Sequence, residues 1–183
     1  MNLESEKKRA LSNRDVMKLV KHKANVVGYP DLVNYKTLDE LLGPHRAAFI
    51  LYEWEPDFGH WISIFRRGNL VEFFDPFGLK PDEHIKTMPK DQRVYTQQEY
   101  PYLTKLLIDS PYDISYNHHK LQDKSANTCG RWAALRLIFK DFTLEQFNKL
   151  MSPPSEDLVT ILTMFQLRDS LSLWIPPRKR NRI

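Results

Sequence analysis

The pattern of hydrophobic and polar residues predicts strands in the middle of the chain and helices on either side. The apolar and aromatic run AAFILYEW (47–54) is typical of a buried strand. HWISIFRR and NLVEFFD, joined by residues 67–69, predict a β-hairpin. Two more strands are predicted, a short one at 93–96 and a longer one in YDISYNHHKLQ (112–122).

Helical spacing of the apolar residues predicts the remaining elements, and turn residues separate them. The predicted helices are SNRDVMKLVKHK (12–23), TLDELLG (37–43), YPYLTKLLID (100–109), CGRWAALRLIFKD (129–141), TLEQFNKLM (143–151) and SEDLVTILTMFQLRD (155–169). Turns are predicted at VVGYPD (26–31) and DPFGLKPDE (75–83). This order indicates an α+β domain with a central mixed β-sheet flanked by helices.

The composition indicates the class of protein, the number of domains and the compartment that suits the chain. The chain has 183 residues, of which 42% are hydrophobic and 27% charged, as in ordinary globular proteins. We therefore expect one domain over residues 1–175 and a short basic tail over 176–183. A single cysteine excludes an intrachain disulfide and a cysteine-rich zinc site, and it suits a reducing compartment. Neither a signal peptide nor a membrane span is expected, because the apolar runs are short.

The basic character of the chain comes from the segment RKRNRI at its C-terminal end. This segment holds Arg178, Lys179, Arg180 and Arg182 and no acidic residue. Four of the 27 basic residues lie there, so the remaining 23 equal the 23 acidic residues in number. The tail is either a solvated end that aids solubility, a nuclear import signal, or an anchor for nucleic acid such as DNA.

The only cysteine, Cys129, lies where a loop gives way to an apolar helix. A lone cysteine is most often a small buried hydrophobic residue. At a helix N-terminus, however, unpaired N–H groups and the helix dipole favour the thiolate, which is the nucleophilic form. Gly130 directly after it permits close approach of another segment. These features make Cys129 a candidate nucleophile and predict a lowered thiol pKa.

A cysteine nucleophile needs a base, and His60 is the strongest candidate because it opens the strand HWISIF, with Trp61 beside it. The base needs a carboxylate that orients its ring. Asp75 ends the partner strand of the hairpin, so it should face His60 across the ladder. The other histidines are assigned to a surface helix (His22), to loops (His45 and His84) and to a strand where adjacent side chains diverge (His118 and His119).

A fourth candidate, Gln122, lies seven positions before Cys129 at the end of the predicted strand 112–122. Its amide N–H and the backbone N–H of Cys129 could stabilise an oxyanion, and one such donor is typically worth about 3 kcal/mol. No metal site is predicted, since the His118–His119 pair is a weak ligand pattern.

The order HW, DPFG and Q-x6-CG resembles the adenovirus maturation protease family, whose wider group includes the ubiquitin-like-protein proteases. The segments that carry the resemblance are GHWISIF, FFDPFG, QDKSANTCG and, near the start, GYPDLVNYKTL. The match spans roughly residues 10–142. It implies a circularly permuted papain-like fold, His60 as general base, Asp75 as its orienter, Cys129 as nucleophile and Gln122 as oxyanion donor. It also implies that Trp61 and Gly130 pack at the substrate groove.

Two departures from the family pattern matter. The adenovirus enzymes have Glu where this chain has Asp75, whereas the ubiquitin-like-protein proteases have Asp. The adenovirus enzymes are also activated by a peptide joined through a second cysteine, which this chain lacks. The chemistry should need no cofactor, and activation by a non-covalently bound peptide or by DNA remains open.

The resemblance implies a viral cysteine endopeptidase that cleaves capsid or core precursors during virion maturation, at sites with small residues such as Gly. Such an enzyme would be a monomer that works in the virion and the infected cell. The first alternative is an isopeptidase that removes ubiquitin-like modifiers, and an acetyltransferase on the same fold ranks well below it. The second alternative is a non-enzymatic virion protein that binds nucleic acid through its tail.

Overall fold

Five strands form one mixed sheet in the computed structural model, which describes residues 2–56 and 58–167. The strand order follows the chain, and the outer pairs β1–β2 and β4–β5 are parallel, whereas β2–β3 and β3–β4 are antiparallel. The strands are β1 (Asn25–Gly28), β2 (Ala47–Glu55), β3 (Phe58–Arg67), β4 (Leu70–Phe74) and β5 (Asp113–Tyr116). The predicted α+β class with a central mixed sheet is therefore confirmed.

Short helices surround the sheet. They are α1 (Leu3–Lys8), α2 (Asn13–Leu19), a 3₁₀ helix (Tyr29–Asn34), α3 (Leu38–Leu42), α4 (Glu83–Thr87), α5 (Lys90–Tyr95), α6 (Tyr102–Ile108), α7 (Cys129–Ile138), α8 (Leu144–Leu150) and α9 (Glu156–Leu167). A capping box at Ser12 begins α2, and another at Thr143 begins α8. Within the described residues, no helix has the length and apolar character needed to cross a bilayer.

The strand predicted at 93–96 is wrong, because these residues lie in and just after helix α5. The segment follows Pro89, and the Arg93 N–H donates to the Pro89 carbonyl in a helical bond. Val94 and Tyr95 suggested a strand by residue type, yet both are exposed, and the main-chain N–H groups of this segment bond within the helix. Residue type alone was therefore a poor guide to this segment.

The predicted strand 112–122 is too long, since β5 ends at Tyr116. The next residue, Asn117, turns its side chain into the main chain of Asp75 and takes the following segment out of the sheet. Strand β1, helices α1 and α4 and the 3₁₀ helix Tyr29–Asn34 were not predicted. Strand β1 has only four residues and overlaps the segment 26–31 assigned to a turn, while α4 has five residues, too few for a hydrophobic period.

The two faces of the sheet are buried by different helices. Ile50, Ile62 and Ile64 point to the face covered by α3 and α6. Phe49 and Trp61 alternate with them and point to the face covered by α2 and α7. His60 and Trp61, adjacent on β3, therefore face opposite sides of the sheet.

Helix α7, which begins at Cys129, is fixed to the sheet by a buried ion pair. Arg136 donates from Nε to Oε1 of Glu72 at 2.6 Å and from a terminal nitrogen to Oε2 at 2.8 Å. Both residues are buried, and the guanidinium also donates to the carbonyls of Phe139 and Phe142. Since Glu72 lies on β4, three residues before Asp75, this pair sets the distance between α7 and the strand that leads to Asp75.

Replacing Glu72 with Ala should lower the free energy of unfolding by about 3–5 kcal/mol, because a buried guanidinium would lose its counter-charge. Urea unfolding followed by circular dichroism measures this. The matched control is Glu55→Ala at an exposed position of β2, which should change stability by less than about 0.5 kcal/mol. Equal effects of the two substitutions would contradict the assigned role of the pair.

Candidate active site

His60 and Asp75 meet on one face of the β3–β4 hairpin. Ser63 pairs with Phe74 in the ladder, and extending this register places Asp75 opposite Ile62, on the same face as His60. The His60 Nε2 atom lies 3.0 Å from Asp75 Oδ1, and both side chains are buried. The expected contact across the hairpin is thus present, diagonally rather than directly opposite. Because Nε2 faces the carboxylate, Nδ1 is the ring nitrogen left for a proton from a nucleophile.

The turn after β4 holds the Asp75 carboxylate from its own backbone. The Phe77 N–H donates to Oδ1 at 2.7 Å, and the Gly78 N–H donates to the Asp75 carbonyl at 2.8 Å. Gly78 has a φ of 73°, a conformation that side chains disfavour. The Asn117 amide completes the support, accepting from the Asp75 N–H at 2.9 Å and donating to its carbonyl at 2.6 Å.

A second histidine occupies the other carboxylate oxygen. His84, on α4, has its Nε2 2.7 Å from Asp75 Oδ2, and its ring centre lies 4.2 Å from that of His60. The loop assignment of His84 is therefore wrong, since this residue is helical and buried. The signal that could have located it is its distance of nine positions from Asp75 across a turn rich in Pro and Gly, which folds the chain back on itself.

The electrostatics of this group follow from its burial. Burial alone would raise the pKa of Asp75, but the charges and hydrogen bonds of His60 and His84 outweigh it and hold that pKa well below its usual range. Burial lowers the pKa of His60, and the nearby His84 adds to the decrease, while Asp75 opposes both. His60 is therefore a neutral imidazole near pH 7, the form that can accept a proton.

Cys129 begins α7 as predicted, but its thiol is not activated in this state. Only 6% of the residue is exposed, and burial raises the pKa of the thiol to about 11. Hydrogen bonding from the main-chain N–H groups of Trp61 and Gly130 lowers the pKa, and the Asp75 charge raises it. The expected fall in the thiol pKa is wrong for the structure as described, because desolvation outweighs the helix N-terminus. Among the described residues, no hydrogen bond joins the His60 ring to the thiol.

The N-terminal segment covers the cysteine. Leu11 packs in the same buried cluster as Cys129 and Trp61, and its carbonyl accepts from the Trp61 indole N–H at 2.9 Å. A Cβ added to Gly130 would lie 3.0 Å from the Trp61 ring and 3.3 Å from Leu11 Cβ. Trp61 and Gly130 are therefore buried under this segment rather than open to a groove. Their proposed place at a substrate groove remains a prediction.

Two further hydrogen bonds join the N-terminal segment to the loop before Cys129. The Asn127 N–H donates to the Lys7 carbonyl at 2.9 Å, and its side-chain amide donates to the Lys8 carbonyl at 2.8 Å. Arg131, fully buried on α7, donates to the Glu6 carboxylate at 2.7 Å. Residues 6–8 and 11 are thus part of the closed site.

Gln122 lies in a loop rather than at the end of a strand. Its main-chain N–H donates to the Pro76 carbonyl at 3.1 Å, which brings it beside the turn that holds Asp75. Its side-chain amide donates to the Ala126 carbonyl at 2.7 Å, and its buried Oε1 has no hydrogen-bond partner among the described residues. An amide nitrogen carries two hydrogens, so one remains for an oxyanion.

Glu156 of α9 stabilises the loop between Gln122 and Cys129. Its carboxylate accepts from the Asp123 N–H, from the Thr128 hydroxyl and from the Trp132 indole. Sequence reasoning did not single out Glu156, because it follows the Pro-Pro pair as an ordinary first-turn acid of a helix. Its role depends on tertiary contacts alone.

His60, Asp75 and His84 are also the only group of three His, Cys, Asp or Glu residues in the described part of the chain whose ligand atoms lie within 4.8 Å of one another. Their nitrogen and oxygen atoms are already joined by hydrogen bonds, so we interpret them as a proton-handling group rather than as a metal centre.

His118 and His119 lie after β5, not within it, and both are exposed. The four basic tail residues, Arg178, Lys179, Arg180 and Arg182, lie outside the described residues.

Comparison with known proteins gives one viral relative. The chain is 38% identical over 165 residues to the uncharacterized protein V9 of Sputnik virophage, covering 85% of this chain and 94% of V9. No family model matches the chain. Among solved structures, the SUMO protease Ulp1 with its catalytic cysteine oxidised to a sulfinic acid has 13% identity and a TM-score of 0.36, covering 87% of this chain and 80% of that one. A score this low does not establish a shared fold.

Replacing Leu11 with Ala should expose Cys129, because the side chain that covers it is shortened. We expect alkylation by iodoacetamide at pH 7 to become several-fold faster, and the midpoint of its pH dependence to move below about 11. Intact-protein mass spectrometry over a pH series measures both quantities.

The matched control for this experiment is Leu106→Ala, which shortens a leucine of similar burial in the core on the other face of the sheet. It should leave the alkylation rate close to that of the wild type. If the two variants react at the same rate, general loosening and not the Leu11 cover governs access to the thiol.

Proposed function

This chain belongs to the same family as the uncharacterized protein V9 of Sputnik virophage, and we propose that it is a cysteine endopeptidase that cleaves virion structural precursors. The viral source of its relative and the resemblance of its HW, DPFG and Q-x6-CG motifs to the adenovirus maturation proteases support this proposal. We further propose scissile bonds flanked by small residues such as Gly, as the resemblance implies.

One observation carries the proposal: the main chain of the residue after His60 contacts the thiol of the only cysteine, and the charge of the buried Asp75, the partner of His60, acts on that thiol. His60 bonds to Asp75 at 3.0 Å, and the main chain of the next residue, Trp61, interacts with the Cys129 thiol. Strand β3 would supply the base, the end of β4 its orienter, and the segment from Gln122 to Cys129 both the oxyanion donor and the nucleophile. A cysteine that served only as a core residue would not need a buried carboxylate whose charge acts on its thiol.

The proposed reaction begins with proton transfer from the Cys129 thiol to Nδ1 of His60. The sulfur attacks the peptide carbonyl carbon, and the oxyanion accepts from the Cys129 N–H and the free hydrogen of the Gln122 amide. Asp75 stabilises the imidazolium, which then donates its proton to the leaving amine. Water activated by His60 hydrolyses the thioester and restores the thiol.

This chemistry requires no cofactor. A disulfide-linked activator would consume Cys129, so we propose that any activating peptide or DNA binds non-covalently. We also propose that the enzyme is a monomer and that the basic tail is the segment that meets DNA. Cleavage that depends strongly on salt only when DNA is present would support the role of the tail.

Cys129→Ala should abolish cleavage of precursor proteins co-expressed with the chain, because the attacking sulfur is removed.

Asp75→Asn should lower kcat by about 10²-fold or more, since the imidazolium loses its counter-charge. Asp91→Asn, an isosteric change at an exposed position, is the matched control and should cleave like the wild type. Gel analysis of the precursors and steady-state kinetics on the cleaved site measure these effects.

Persistence of processing in Cys129→Ala would overturn the catalytic assignment. Turnover of fluorogenic substrates ending in a ubiquitin-like C-terminus, without cleavage of short Gly-containing peptides, would point instead to an isopeptidase. A wild-type protein that cleaves neither and binds DNA would support the non-enzymatic alternative.

A further inference from the structure

We propose that His84 is a second histidine of the site that positions the Asp75 carboxylate. Because it shares that carboxylate, it also limits how far the negative charge of Asp75 stabilises an imidazolium at His60. This inference deepens the proposed function and rests on it. His84 would hold Oδ2 of the carboxylate so that Oδ1 stays directed at His60.

The geometry favours a strong contact with His84. Its Nε2–Oδ2 distance of 2.7 Å is shorter than the 3.0 Å between His60 and Oδ1. Oδ1 is shared between His60 and the Phe77 N–H, whereas His84 is the only side chain or backbone group among the described residues that bonds to Oδ2. Loss of His84 would therefore leave one oxygen of a fully buried carboxylate without a donor, and the carboxylate could rotate.

Helix α4 is held in place by a buried network centred on Asp82. Asp82, with a φ of 62°, precedes the helix, and its carboxylate accepts from the Tyr29 and Tyr52 hydroxyls and from the Thr104 N–H. The Tyr52 ring lies 5.2 Å from the His84 ring. Three other elements thus fix the helix that presents His84.

His60 is enclosed from two directions. Its ring stacks on Phe77 with centres 4.7 Å apart and planes 13° apart, and it lies 4.2 Å from the His84 ring. The titratable groups that face His84 within the described residues are Asp75, His60 and Tyr52, with Asp82 behind Tyr52. Glu83 on the same helix is directed to the Lys80 N–H.

Asp75 supplies one negative charge for two imidazoles. When His84 is neutral and donates Nε2–H to Oδ2, an imidazolium formed at His60 has the whole carboxylate charge as its partner. Positive charge on the His84 ring, whose centre lies 4.2 Å from that of His60, disfavours that imidazolium and lowers the pKa of His60. The proton that leaves the thiol goes to His60 in both cases, and His84 keeps its own Nε2 proton.

Two substitutions at His84 separate its positioning of Asp75 from its electrostatic effect on His60. Gln in place of His84 can retain an N–H donor but cannot be protonated, whereas Leu removes both. We expect His84→Gln to keep kcat within about threefold of the wild type and to raise the pKa of His60, moving the acid limb of the pH profile to higher pH. We expect His84→Leu to lower kcat by about tenfold to a hundredfold at unchanged KM, because Asp75 is misplaced.

The measurements are nuclear magnetic resonance titration of the His60 ring and steady-state kinetics over pH, with exposed His118→Gln as the control variant. An unchanged His60 titration in His84→Gln would overturn the inference, even if His84→Leu fails to fold. Failure of the wild type to cleave any peptide would overturn the proposed function instead, because the titration needs no substrate.

Discussion

The structure depends on the complete burial of the Asp75 carboxylate. An ion removed from water costs several kcal/mol unless its oxygens are satisfied, and here every partner comes from a different part of the chain. His60 comes from β3, His84 from α4, Phe77 from the following turn, and Asn117 holds the main chain from beyond β5. The end of β4 is thus the point at which otherwise separate segments must converge, and it is the point at which the candidate base is oriented.

The cysteine obeys a different constraint, in which burial competes with the helix N-terminus. A helix dipole is typically worth about 0.3–1 kcal/mol to a nearby charge. The raised thiol pKa of about 11 corresponds to roughly 3 kcal/mol against the thiolate. Desolvation therefore dominates, and in the resting site both the Cys129 thiol and the His60 imidazole are neutral. In the proposed reaction the proton would move when substrate arrives, so the basicity of His60, which Asp75 and His84 affect, would govern the first step.

The sequence predicts the site only where local geometry is regular. His60 and Asp75 could be paired because a hairpin with alternating side chains fixes which residues share a face. Cys129 could be placed at a helix start because the apolar spacing after it is clear. The roles of His84, Asn117 and Glu156 escaped prediction because they depend on contacts with residues distant in sequence or across a turn, which no local periodic pattern encodes. The cover by Leu11 depends on contacts with residues 50 and more positions away, which no local pattern encodes.

The most direct test of the account is whether His60 activates the sulfur of Cys129 toward a peptide electrophile. A short peptide that ends in Gly and carries a vinyl methyl ester forms a carbon–sulfur bond with an activated cysteine, and intact-protein mass spectrometry records the adduct. We predict one adduct on Cys129 in the wild type and at least about a hundredfold slower labelling in His60→Gln. Equal labelling rates in the two proteins would contradict the assignment of His60 as the base.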